Sequence, residues 1–337
     1  MTDSLYHPSR FCTAPMIDWT DRHCRYFFRL FSKEMQIYTE MVTCGAILHG
    51  DTDRFLGYSD EEQPLVLQLG GSNPADLGRC AKIAADRGYS EINLNLGCPS
   101  PRVQKGAFGA CLMAEKQLVV DCVKAMQDAS DVPVSIKCRL GIDNLDSDEF
   151  LLDFLSALDD IECHHWVIHA RIALLQGLSP KENRTVPPLN YDRVYLAKET
   201  FPHARIILNG GLMGVDQSLN DLKNLDGVML GRAAYQNTQV LLDVDQKVFD
   251  KETAIKTPFD VAEEYADYIK TLNPREQKVA IRHTLGLFNG LRGAKPWRRY
   301  LSEGLSNGEE PLALWDEGLR KIKHLNETTL IESDDPS

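Results

Sequence analysis

Short apolar or β-branched runs recur along the chain, with helix-period stretches between them. Eight such runs stand at Phe11–Ala14, Gln36–Thr39, Leu65–Leu69, Glu91–Leu96, Val134–Cys138, Trp166–His169, Arg205–Leu208 and Gly227–Leu230. Asp76–Ala84 and Leu118–Val123 illustrate the helical pattern in between. Alternation of strand and helix implies parallel strands, because each return crossover takes a dozen or more residues. Eight units predict an α/β protein with a closed (β/α)8 TIM barrel. An open doubly wound sheet would carry a glycine-rich dinucleotide turn after its first strand, and none is present.

Past Lys251–Pro258 the pattern turns purely helical. Val261, Tyr265, Tyr268, Ile269 and Leu272 share one face; Ile281, Leu285 and Phe288 share another, as do Leu312, Trp315, Leu319 and Ile322. Asn273-Pro274 separates the first two helices. The expected organisation is a barrel over residues 1–250 and a small all-helical domain over 251–337, ending in the acidic, solvated tail Glu332–Ser337.

A chain of 337 residues, 43% hydrophobic and 26% charged, can bury a large core and is not of the disordered class. No run approaches the ~18 apolar residues of a membrane span. The first residues lack a basic start followed by an apolar stretch, so no signal peptide is expected. Nine cysteines without CxxC spacing point to a reducing, cytoplasmic setting rather than to disulfides or structural zinc. The net charge of −12 argues against a protein that coats nucleic acid nonspecifically. Yet Arg275–Arg299 holds seven basic residues against Glu276 alone. That island either grips a polyanion or is a solvated helix face, and charge alone leaves both open.

Barrel enzymes carry their working groups at the C-terminal strand ends. Here those ends supply Ala14-Pro15-Met16-Ile17, Gln68, Asn93 and Asn95, Lys137 and Arg139, His169 and Arg171, Asn209-Gly210-Gly211, and Gly231-Arg232. A lone buried amide is usually just a satisfied polar residue. Six polar strand ends converging on one mouth are harder to dismiss. The last two fit a phosphate site, where glycines admit backbone N–H groups and Arg232 adds a charged fork. The phosphate could belong to a sugar, to pyridoxal phosphate or to flavin mononucleotide. Gln68 could meet a flavin pyrimidine edge and Lys137 its electron-rich nitrogen, or Lys137 could form a Schiff base.

Cys98 lies between Gly97 and Pro99, just past a strand end, with the glycine-rich segment Lys105–Cys111 after it as a candidate mobile loop. A thiol there can act as acid or nucleophile. Cys163-His164-His165 suggests a metal, but adjacent strand residues point to opposite faces, so no metal is expected.

Ala14-Pro15-Met16, Asn93–Pro99, Lys137–Gly141, His169-Ala170-Arg171, Asn209-Gly210-Gly211 and Gly231-Arg232 together resemble the tRNA-dihydrouridine synthases. Lys181–Arg184 and Lys295–Arg299 resemble the A subfamily, which modifies D-loop uridines at positions 20 and 20a. The resemblance implies FMN as cofactor, NADPH as reductant and tRNA as substrate, with Cys98 the proton donor. It implies Pro15, Met16, Ile17, Gln68, Lys137, His169, Asn209, Gly210, Gly211, Gly231 and Arg232 around FMN. It implies Asn95, Arg102, Asn183, Arg184, Arg298 and Arg299 as RNA contacts, in a monomer without membrane or metal partners. A small-molecule flavin barrel, such as a dihydroorotate or dihydropyrimidine oxidoreductase, would share the phosphate site without needing the basic helices. An RNA-binding protein with an inert barrel would not need the strand-end set.

Overall fold

The computed structural model describes residues 7–333 of the chain, with side chains to residue 327. Eight parallel strands close a barrel in sequence order: β1 (Phe11–Thr13), β2 (Gln36–Thr43), β3 (Leu65–Gly70), β4 (Glu91–Leu96), β5 (Val134–Arg139), β6 (His165–His169), β7 (Arg205–Asn209) and β8 (Gly227–Leu230). The (β/α)8 expectation holds. Both faces of the strands are covered, so every residue of β3 and β4 is buried and apolar and polar side chains alternate between helix layer and barrel interior.

The largest departure from the expected strand bounds is β2, which runs on to Thr43 through a register shift between Tyr38 and Met41. At this bulge the Gln68 N–H donates to Thr39 Oγ1 at 3.1 Å, a side chain standing in for the strand ladder. A bulge breaks the period-two pattern, which is why the apolar run read from sequence stops at Thr39.

The chain divides into two compact units, one of residues up to Arg22 with Glu34–Gly231, the other of His23–Lys33 with Arg232 onward. The helical unit thus gathers more than the expected 251–337. It takes in the helix between β1 and β2, because Phe27 packs its ring 4.8 Å from Tyr265 and the Tyr265 hydroxyl donates to the His23 carbonyl at 3.1 Å. Asp245 fixes the end of that segment, accepting from Ser32 Oγ and, at 2.9 Å, from the Lys33 N–H. Within this unit the helix Pro258–Lys270 starts at a Thr257–Asp260 capping box, and Pro274–Arg282 at a second box of Asn273 with Glu276.

At the N-terminal end of the barrel the buried Glu91 carboxylate accepts from Gln36 Nε2 at 3.0 Å and from Ser135 Oγ, and pairs with His165 Nδ1 at 3.1 Å. Burial pushes its pKa up. The His165 charge and these hydrogen bonds outweigh that and hold it below the ordinary carboxylate value. Above this layer Cys12, Tyr38, Val66, Val167, Ile207 and Met229 fill the barrel centre. Closure beside β1 leaves no room at Gly227, where a Cβ would stand 2.1 Å from the Ser9 carbonyl oxygen and 2.6 Å from Ile207. Since the Ser9 atom is backbone, Gly227→Ala is expected to cost about 3 kcal/mol, read as a lower denaturation midpoint.

Candidate active site at the barrel mouth

The mouth is built from side chains that hold one another. Asn93 Nδ2 donates to Ser135 Oγ at 2.8 Å, Gln68 Nε2 to Asn93 Oδ1 at 2.8 Å, and Asn95 Nδ2 to Gln68 Oε1 at 2.8 Å. Asn95 Oδ1 then accepts the Cys98 N–H at 3.0 Å and the Gly97 N–H at 3.2 Å. This run starts from the Ser135–Glu91 bond and ends on the backbone that carries the thiol. Sequence pointed to Gln68, Asn93 and Asn95 but not to Ser135 or Glu91 beneath them.

Cys98 is partly buried. Burial raises its pKa, and this outweighs the opposing pull of a Ser100 backbone hydrogen bond and of Arg139, Arg184 and Lys137. The sulfur is a neutral thiol at neutral pH. The glycine-rich segment behind it is not a free-standing loop. It folds as the turn Gly109–Ala114, and the Ala110 N–H donates to the Cys98 carbonyl at 3.0 Å.

Lys137, paired in register with Asn95, sits on the neighbouring strand. Its ammonium donates to Asn209 Oδ1 at 2.9 Å, and Asn209 Nδ2 donates to the Met229 carbonyl at 2.8 Å. No carboxylate faces it among the described residues. Burial, with Arg139 nearby, pulls its pKa down to about 7. Gly210 and Gly211 follow with φ of 111° and 76°. A Cβ on Gly210 would stand 3.3 Å from the His169 ring, and one on Gly211 would stand 2.5 Å from Leu189. Tyr191, absent from the sequence reading, donates its hydroxyl to the Gly210 carbonyl at 2.6 Å and fixes this turn. A Cβ on Gly231 would meet Ala14 at 3.5 Å and Met16 at 3.7 Å, both ordinary van der Waals contacts.

On the β1 side the Met16 N–H bonds Thr20 Oγ1 at 3.0 Å, and Glu40 accepts the Asp18 N–H at 2.5 Å. Pro15 and Met16 are half-buried and Ile17 is 53% exposed. A countercharge-free cation beside a glycine turn and an apolar wall fits an anionic, ring-bearing cofactor. The structure brings together Gln68 with Asn95, Lys137 with Asn209, His169 with Gly210, and Met16 with Gly231, and among the expected RNA contacts it sets Asn183 apart. Asn183 is fully buried, its Oδ1 accepting the Leu174 N–H at 2.8 Å and its Nδ2 donating to the Leu174 carbonyl at 2.9 Å. It shapes the loop after β6 instead of facing a ligand. Arg102 and Arg184 are exposed. In the helical unit Arg232 opens a short helix, Arg298 donates to Asn289 Oδ1, and Arg299 is exposed 4.0 Å from Glu303.

A closed parallel (β/α)8 barrel with a neutral thiol and a half-buried lysine at its mouth is the class that this geometry defines. The sequence matches the family described as Dihydrouridine synthase over residues 12–325. The chain belongs to that family, whose members are oxidoreductases. It is 52% identical over 326 residues to a tRNA-dihydrouridine(20/20a) synthase of Vibrio parahaemolyticus, covering 96% of this chain and 100% of that one. It is 51% identical over 321 residues to the protein of the same description from Escherichia coli strain K12, covering 94% and 93%. The fold is shared with an old yellow enzyme homologue of Zymomonas mobilis, with a TM-score of 0.50, 11% identity and coverage of 75% and 91%. Morphinone reductase likewise gives a TM-score of 0.50, at 12% identity, with coverage of 74% and 87%.

Two outcomes follow from the site's electrostatics. A lysine whose folded pKa lies near 7 against an unfolded ~10.4 releases its proton earlier in the native state. The unfolded chain then binds more protons, so ligand-free protein should gain stability as pH rises from about 7 toward 10, and Lys137→Met should remove that slope in urea titrations. Ser135→Ala strips a partner from both Glu91 and Asn93 and should cost about 2–3 kcal/mol in the same assay, more than an ordinary hydroxyl deletion.

Proposed function

We propose that the chain is an FMN-dependent tRNA-dihydrouridine synthase, reducing the carbon 5–carbon 6 double bond of D-loop uridines at positions 20 and 20a with NADPH. The observation that carries the reading is the placement, past adjacent strand ends, of a neutral thiol at Cys98 and a half-buried ammonium at Lys137 whose one partner among the described residues is the Asn209 amide. Lys137, Gln68, His169 and Asn209 would hold the flavin ring and its tail, with Gly210, Gly211, Gly231 and Arg232 at the phosphate and Pro15, Met16 and Ile17 along the ring face. FMN, when bound and reduced, supplies a hydride to carbon 6, the electrophilic end of a double bond conjugated to the carbon 4 carbonyl.

The uridine enolate left by that addition needs one proton at carbon 5. The Cys98 thiol gives it and is reprotonated from solvent, so hydride and proton together make the dihydro product. Its raised pKa suits a general acid, not a nucleophile. Asn95 fixes the Cys98 backbone through Oδ1 and stands where the base would enter.

A uridine inside folded RNA must leave its stack to reach the mouth. Arg102 and Arg184, with Arg298 and Arg299 of the helical domain expected over 251–337, would take phosphates along that RNA, consistent with recognition by shape and backbone. NADPH would use the same mouth in alternation with RNA, in keeping with the missing dinucleotide turn. The reading includes a monomer at work in the cytoplasm. No helix among the described residues is long and apolar enough to cross a membrane.

Purified protein is expected to be yellow and to release FMN on denaturation. Bulk tRNA from a deletion strain is expected to lack dihydrouridine at the two positions and to regain it with the wild-type gene. Cys98→Ala should keep bound flavin and NADPH oxidation by oxygen while lowering uridine reduction 10²–10⁴-fold. Undiminished dihydrouridine formation by that variant would overturn the acid assignment, and a colourless protein the cofactor.

A further inference from the structure

At the end of the barrel opposite the mouth, three ligand-type side chains from separate segments meet. Asp159 ends the helix Asp148–Asp159, His164 precedes β6, and His203 lies in the connection before β7. His164 Nε2 stands 3.1 Å from Asp159 Oδ1 and His203 Nε2 stands 2.6 Å from the same oxygen. The three donor atoms all lie within 4.8 Å of one another, and the imidazole rings are edge-to-face with centroids 4.9 Å apart. We propose that Asp159, His164 and His203 form a binding site for a first-row divalent cation, zinc foremost, that ties β6 and β7 to the preceding helix.

Two imidazoles and one carboxylate are a zinc donor set that leaves a further position for water. Metal–ligand bonds of ~2.0–2.1 Å place tetrahedral donors about 3.3 Å apart. The Asp159–His164 spacing already fits. The Asp159–His203 spacing opens by about 0.7 Å, and the His203 side chain, 51% exposed, has the freedom to move. A water position is available, because His164 and His203 both line a polar cavity of about 670 Å³. The backbone around His164 is held firmly: the Arg205 N–H donates to its carbonyl at 2.6 Å, and the Cys163 N–H donates to Leu158 at 3.0 Å.

Electrostatics favour a cation as well. Asp159 places its carboxylate at a helix C-terminus, where the helix dipole is already negative. Asp160 follows it, and Glu162 lines the cavity. The nearby cations are engaged elsewhere. Lys198 pairs with Asp226 at 2.7 Å, Arg205 donates to Ser9 Oγ at 3.3 Å, and His165 turns inward to Glu91. The strand alternation that argues against a joint Cys163-His164-His165 site is correct. It turns His165 to the barrel interior and leaves His164 for Asp159 at the end of the preceding helix and His203 before β7.

The test uses full-length protein stripped with a chelator and titrated with zinc chloride alone. One zinc per chain is expected at micromolar Kd, with the denaturation temperature rising by a few degrees at a hundredfold excess over Kd. His203→Ala and His164→Gln should each weaken binding at least tenfold and abolish the shift, while uridine reduction by His203→Ala stays at the wild-type level. Absence of a zinc-dependent shift in the wild type, or an equal shift in the two variants, overturns the site.

Discussion

The hydrogen-bond run from Glu91 to Cys98 sets the order of the whole mouth. Its lower end is a carboxylate, which only accepts, and its upper end is a backbone N–H, which only donates. Every group between them must therefore point the same way: Cys98 N–H to Asn95, Asn95 to Gln68, Gln68 to Asn93, Asn93 to Ser135, Ser135 to Glu91. Flipping any amide would set donor against donor at one contact and acceptor against acceptor at the next. Buried polar side chains are costly unless satisfied, and here the barrel interior satisfies them by a single directional line. The position of the thiol is thus anchored at the far end of the barrel.

Burial acts on the two charged-capable groups of the mouth in opposite senses and leaves both near neutrality. The ammonium of Lys137 loses hydration and its pKa falls to about 7, while the thiol of Cys98 loses hydration and its pKa rises. Neighbouring cations pull the thiol the other way without winning. A barrel mouth lined by amides thus keeps a proton on sulfur and keeps the lysine responsive to whatever anion arrives beside it. Replacing Asn209 by an aspartate would supply the missing countercharge and remove that responsiveness.

Sequence carried the barrel well because all eight strands lie in an environment buried on both faces, where a short β-branched run has little else to be. It carried the strand-end polar set for the same reason: an amide inside such a run stands out. Three features lay outside its reach. The end of β2 from Glu40 to Thr43 follows a bulge, where the alternation that reveals a strand is broken. The helix holding Phe27 lies between the first two strands, yet Phe27 packs on Tyr265, more than two hundred residues on. Asn183 stands among the RNA contacts that the family resemblance implies, but its amide closes its own loop onto Leu174. In each case the deciding partner is distant or the deciding fact is a direction, and neither has a local signature.

The two ends of the barrel differ in how their buried charges are balanced. At the N-terminal end Glu91 meets His165, Gln36 and Ser135, and Arg205 lies close enough to feel its field. The buried Glu91 carboxylate has both an opposite charge and hydrogen bonds, which is what a structural cluster requires. At the mouth Lys137 has one neutral amide and a second cation, Arg139, for company. A half-buried lysine without an opposite charge gives up its proton readily, and perturbed groups of this kind gather where ligands bind. The carboxylate buried beneath the barrel centre is thus matched by its neighbours while the lysine at the mouth is not, and the mouth is where the thiol stands.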